Sequence, residues 1–189
     1  MKEKKKWGLI FFMVFIMIGT SFSFIFFGFA NIVERIKYDG FTFTNNGNVW
    51  LAKINGRQAG FSFLPKDVEN IPTSSNIPNI LQSKLEIDAT YDLNSTYKES
   101  FALALHQMGL TLGTYNIYLR VGFTANNTFN LPIITCNNAT SNVPVVYFKF
   151  GNKTNIYVEN NCIIAEASTD VDFIRVKDRL LYALFGVIK

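Results

Sequence analysis

Histidine and cysteine are scarce in this 189-residue chain, which holds one His and two Cys. A single histidine excludes multi-His zinc centres and the two-His facial triad, and two cysteines exclude a four-Cys metal site. The chain has no C-x-x-C pair, no G-x-S-x-G nucleophile elbow, and neither G-x-G-x-x-G nor G-x-x-x-x-G-K-[ST] phosphate loop. No cofactor motif and no His- or Cys-based metal site is present. The lone His106 falls beside the apolar stripe of a predicted helix and reads as a helix-border side chain rather than a catalytic base. Charge is lacking as well: none occurs from Trp7 to Ala30. The net charge is +4, of which Lys2, Lys4, Lys5 and Lys6 against Glu3 supply +3, leaving 14 basic and 13 acidic residues over 31–189. A basic excess confined to six residues is no nucleic-acid surface, and no nucleic-acid partner is expected.

What is present begins with that uncharged run, 24 residues that hold nine of the 29 aromatics. As a helix it would span about 36 Å against a hydrocarbon core of about 30 Å. Its 14 Leu, Ile, Val and Phe residues favour insertion by roughly 4 to 8 kcal/mol before the small polar residues subtract. The expected organisation is a cytoplasmic basic leader (1–6), a transmembrane helix (7–30) whose partner is the lipid bilayer, a juxtamembrane connector (31–40) and an extracytoplasmic domain (41–189). The lysines place the N-terminus inside and the domain outside the cell membrane, as a single-pass protein. A cleaved signal peptide is the rival reading, with Gly28-Phe29-Ala30 as its small-x-small site, although its apolar stretch would exceed the usual length. Both readings export the domain.

Beyond the connector the hydrophobic period becomes two. Asn45-Asn46-Gly47-Asn48 and Asn55-Gly56 separate strand-like runs and predict a three-strand meander. Pro65, Pro72 and Pro78 mark a stretch expected to be loop. Leu85 to Leu93 alternates as a strand wet on one face, Ser95–Leu112 as an amphipathic helix, and Tyr115–Phe123 as another half-buried strand. Val143–Phe150 and Asn155–Glu159 read as a hairpin, followed by a strand at Cys162–Ala167. A final helix, capped by Thr169 or Asp170, runs with Phe173, Val176, Leu180, Leu184 and Val187 down one side, and Arg175 and Asp178 form a surface pair on it. The fold class expected is α+β: a mostly antiparallel sheet with two packed helices, preceded by one N-terminal transmembrane helix.

Cys136 and Cys162 are expected to form a disulfide, since export puts both in a compartment that permits oxidation. Asn94, Asn126, Asn138 and Asn152 each begin an N-x-[ST] acceptor for possible glycosylation. Glu86, Asp88 and Asp92 share one strand face, where paired carboxylates could run acid–base chemistry or bind a hard cation; the simpler reading is a solvated face.

The basic start, the single span, Asn55-Gly56, Phe61-Ser62-Phe63-Leu64-Pro65-Lys66-Asp67-Val68-Glu69-Asn70, Thr135-Cys136-Asn137-Asn138-Ala139-Thr140, Asn161-Cys162-Ile163-Ile164-Ala165-Glu166-Ala167 and Lys177-Asp178-Arg179-Leu180-Leu181-Tyr182 together resemble single-span, membrane-anchored surface proteins of small-genome archaea. The resemblance implies an archaeal envelope protein with an exported domain, and brings no activity with it. The function expected is a membrane-anchored extracytoplasmic binding or structural module of the envelope, whose partner is an envelope protein or glycan. The alternatives are a pilin-like filament subunit, from which Lys6-Trp7-Gly8 departs at the processing site, and an envelope hydrolase acting through Glu86, Asp88 and Asp92.

Overall fold

The computed structural model describes the backbone of residues 4–27 and 34–188, and in its first helix the side chains of residues 7–19. Two compact units divide between Glu34 and Arg35. The first contains helix α1 (Lys4–Phe27), whose large apolar side chains from Trp7 to Ile18 are exposed. Among the described residues no helix is long and apolar enough to cross a membrane. The expected span at 7–30 lies outside the described side chains from residue 20 onward.

The second unit starts earlier than the sequence suggests. Part of the expected connector forms strand β1 (Arg35–Tyr38), which pairs with β2 (Phe41–Asn46), followed by β3 (Val49–Ile54) and β4 (Arg57–Phe61). These make a four-stranded antiparallel meander. Asn55 and Gly56, with φ of 50° and 81°, supply the two left-handed residues of its last turn. The proline-marked stretch is not all loop. Pro65 opens the short helix α2 (Pro65–Val68) and Pro78 sits in the first turn of α3 (Ile77–Leu81), where a missing N–H costs nothing.

The larger sheet corrects the antiparallel expectation. Strands β5 (Glu86–Tyr91), β6 (Tyr118–Phe123), β7 (Val145–Phe150), β8 (Asn155–Glu159) and β9 (Cys162–Ala167) lie in the order β6-β5-β7-β9-β8. Only the β8–β9 pair is antiparallel; β5–β6, β5–β7 and β7–β9 are parallel. Nor do β7 and β8 form a hairpin, because β9 lies between them. The chain crosses the end of β9 at Gly151, whose N–H donates to Ala167 O at 3.0 Å, and a Cβ there would run into Glu166.

Helices α4 (Lys98–Thr114) and α5 (Asp170–Phe185) pack against the larger sheet on one side and the meander on the other. That position explains why α5, expected to be amphipathic, is buried nearly all round, from Val176 through Phe185. Tyr182 stacks on Phe61 at 4.2 Å, meets Phe43 edge-on, and donates from Oη to Phe63 O at 2.7 Å. Thr111 Oγ1 donates to Gly60 O and Tyr115 Oη to Ile54 O, so α4 and its C-cap residue are bolted to the meander through its backbone.

The second face of the larger sheet is also covered. To pass from β6 to β7 the chain must cross β5, and residues 124–144 do so. Ile134 packs there with Val145, Cys162 and Ile164, Thr90 Oγ1 donates to Ile134 O at 2.8 Å, and a Cys136–Cys162 disulfide ties the segment to β9. The bridge matches the sequence expectation. Sheets buried on both faces are the rule for parallel strands.

Candidate functional site

Covering both faces changes the acidic trio. Asp88 is 1% exposed, not solvated. Its two carboxylate oxygens accept from Arg120 Nε and Nη2, both at 2.7 Å, and Glu86 Oε1 lies 3.2 Å from the same Nε. The β5–β6 register places Arg120 directly opposite Asp88. Asp92 lies past the strand end and accepts from Asn94 N–H in a turn. The trio therefore does not act as a unit: two members neutralise one guanidinium and the third shapes a loop. Among the described residues no cluster of three or more His, Cys, Asp or Glu side chains is placed to hold a metal ion. His106 is exposed on α4; Asn94, Asn126 and Asn152 are exposed in loops or turns, and Asn138 is exposed at the end of a single 3-10 turn (Cys136–Asn138). Asn138 Oδ1 accepts from Thr135 N–H, which fixes the turn preceding β7.

The ion pair expected between Arg175 and Asp178 is not made. Arg175 Nη1 donates to Asp172 Oδ1 at 2.9 Å, and its Nη2 donates to Asp67 O. Asp178 is fully buried, pairs with the equally buried Lys177, and accepts from the Ser62 and Phe63 N–H groups at 2.9 and 2.8 Å. Two of the three cations between residues 175 and 179 thus have carboxylate partners.

Arg179 does not. It is 5% exposed, and its Nε and Nη1 are sealed from solvent with no hydrogen-bond partner among the described residues. Burial pulls its pKa down, while the nearby Tyr38 pulls it up. Tyr38 itself is held as a neutral phenol, raised to about 12 chiefly by its hydrogen bond to Glu69 Oε2 at 2.6 Å, so that Glu69 is already engaged. A buried charge without a partner costs several kcal/mol, and a buried Arg is ordinarily paired.

Arg179 is one of the residues lining a cavity of about 520 Å³ between α5 and the segment leading into α3. Pro78, Ala183 and Ile188 give its wall an apolar character; Thr73, Ser74, Ser75 and Gln82 add hydroxyls and an amide. Three local features build it. Pro72 O and Ser74 N–H bond the two sides of Ile156, so the 72–74 segment is pinned along edge strand β8. Pro78 starts α3. Gly186, at φ 73°, ends α5 in the left-handed conformation and turns Val187 N–H back onto Tyr182 O, carrying Ile188 to the cavity. Pockets of this volume, mostly apolar with a few convergent polar groups, are of the size that takes a small ligand. Sequence reasoning passed over Arg179 because Lys177-Asp178-Arg179 looks like an ordinary charged helix surface. The signal that could have raised it is helical spacing: Arg179 is three residues from Val176 and four from Ala183 and Arg175, on a face flanked by apolar residues.

No family model, curated protein or solved structure matches the chain.

Proposed function

We propose that the protein is a membrane-anchored, extracytoplasmic ligand-binding module of the cell envelope, of the kind implied by its resemblance to archaeal surface proteins. The observation that carries binding is the cavity with an unpaired, buried arginine in its wall. Arg120, by neutralising Asp88 and Glu86, supports binding over hydrolysis, because a carboxylate locked by a bidentate guanidinium is poorly placed to exchange protons. The anchor rests on the uncharged run from Trp7 to Ala30 beside Lys4-Lys5-Lys6, and on the exposed apolar side chains of α1, which suit contact with lipid. The Cys136–Cys162 bridge accords with an oxidising compartment.

Protease added to sealed cells that express the full chain with a C-terminal epitope should remove the epitope. An epitope spared until the cells are permeabilised would overturn the assignment.

A further inference from the structure

We infer that the outer face of the meander docks on anionic lipid headgroups at the membrane surface. The inference rests on reading the chain as membrane-anchored and adds a second, electrostatic contact with the bilayer.

Strand register fixes which side chains share that face. Ile36, Phe43, Ala52 and Ala59 are successive cross-strand partners, and the last three are buried, so this parity turns inward. Residues of the other parity turn outward. Arg35 pairs with Thr44 and Thr44 with Leu51; Lys37 pairs with Thr42, and Lys53 with Gln58. Arg35, Lys37 and Lys53 are all exposed. Arg35 and Lys53 line one open groove of about 590 Å³ together with Thr42, Thr44 and Gln58. The outward residues of the four strands thus include three cations and no carboxylate. The acidic neighbours of β1 lie off its ends, Glu34 before it and Asp39 in the turn to β2.

Three features select a lipid surface. First, the cations are unpaired. Arg120, Lys149, Arg175 and Lys177 each hold a carboxylate of the chain, whereas Arg35, Lys37 and Lys53 make no ion pair or side-chain hydrogen bond among the described residues. Second, Val49, 39% exposed, and Leu51 stand on the same face, and aliphatic groups interleaved with cations suit the boundary between headgroups and acyl chains. Third, only Asn31 to Glu34 separate the uncharged run from Arg35. A chain of that length reaches about 17 Å at full extension, which tethers the cations near the bilayer. Each Lys or Arg near an anionic surface favours contact by about fivefold, and three together by roughly a hundredfold. That is too little to capture a soluble polyanion and ample for a face held at high effective concentration.

The test places the full chain in lipid nanodiscs of phosphatidylcholine, with and without phosphatidylglycerol, and follows acetylation of each lysine by mass spectrometry. In the anionic discs Lys37 and Lys53 should react at least about fivefold more slowly than in phosphatidylcholine alone. Lys98 and Lys153, exposed away from the meander, should keep their rates. High salt should restore the fast reaction, because contacts between exposed charges are screened. Arg35→Glu should cancel most of the protection at the two lysines.

Equal rates at Lys37 and Lys53 in the two kinds of disc would overturn the proposal. So would protection that persists in high salt, that extends to Lys98 and Lys153, or that survives Arg35→Glu. Dextran sulfate shielding the two lysines in phosphatidylcholine discs more strongly than phosphatidylglycerol does would also overturn it, in favour of a soluble polyanion. Co-elution with the discs reports the anchor separately. A chain that elutes with neither disc overturns the anchor and this contact together, and a chain that co-elutes unprotected overturns this contact alone.

Discussion

Tyr182 shows how much one side chain can join. Its ring fills the space between Phe61 and Phe43, and its hydroxyl meets the Phe63 carbonyl at 2.7 Å. Substitution by Phe keeps the ring but leaves that carbonyl without its donor in a half-buried site. Tyr182→Phe should therefore lower stability by about 1–3 kcal/mol in urea unfolding. Gly122 is constrained from the opposite side of the molecule. A Cβ there would lie 2.7 Å from Ile134 Cγ1 and would also press on the backbone of Pro132, which is less free to move than a side-chain tip. Gly122→Ala should cost about 1–3 kcal/mol by the same measurement, as an overpacked contact. Neither residue announced its role in the sequence. Tyr182 lies off the apolar stripe expected for its helix and Gly122 falls in a strand, and their partners are 119 and about a dozen residues away.

At the scale of elements, the covering segment 124–144 and the first turn of α5 are the two most informative. The disulfide closes a loop with a sequence separation of 26 residues. The chain-entropy estimate for such a loop is about 3.5 kcal/mol, so a Cys136→Ser, Cys162→Ser double variant should unfold at correspondingly lower urea concentration. Its loosened cover should speed amide exchange in β5, read by hydrogen exchange. At the start of α5, Thr169 caps the helix through Asp172 N–H, and the Asp172 carboxylate accepts from Thr154, Ser168, Thr169 and Arg175. Burial alone would raise the Asp172 pKa; the four hydrogen bonds outweigh it and hold the carboxyl below its ordinary value. The folded state thus binds this proton more weakly than the unfolded chain. The stabilisation is fully present above the unfolded carboxyl pKa of about 3.9 and is lost as pH falls through the lower folded value. Acid titration of the melting temperature should show a loss below about pH 4 that is smaller in Asp172→Asn.

The second unit as a whole is two sheets with helices between them, and α5 belongs to both halves. The Asp178 carboxylate holds the Ser62 and Phe63 amides of the meander exit while other faces of the same helix pack on β8 and β9. Neither sheet can lose α5 without exposing the other's core. Residues 35–188 should consequently unfold in one transition. Trp50, in the meander, is a local probe once Trp7 is replaced by Phe. Its fluorescence midpoint should coincide with that of far-ultraviolet circular dichroism, and two separate midpoints would contradict the shared core.

Much of this was legible one element at a time. The strands β8 and β9, the Asn55-Gly56 turn, the Thr169 cap and the Cys136–Cys162 pairing were legible, because the first three are set by residues close in sequence and the chain offers only one pair of cysteines. The parallel order of the larger sheet was not legible. Period two in β5 reports that alternate residues differ in polarity, and a half-wet antiparallel strand and a parallel strand with a buried ion pair produce the same alternation. Only the passage of 124–144 across β5 puts Asp88 and Thr90 under cover, and only the register of β6 brings Arg120 to meet that charge.

The amino-acid order by itself determined an uncharged apolar leader beside lysines, a β-rich domain with two long helices, and a pair of cysteines, since hydrophobic period and charge placement are local properties of a chain. The tertiary structure alone decided which charges found partners. Lys177, Asp178 and Arg179 are adjacent letters, yet the first two neutralise each other in the core and the third lies unpaired beside a cavity. Pairing depends on distances across the fold, and those are set by the packing of α5 between two sheets.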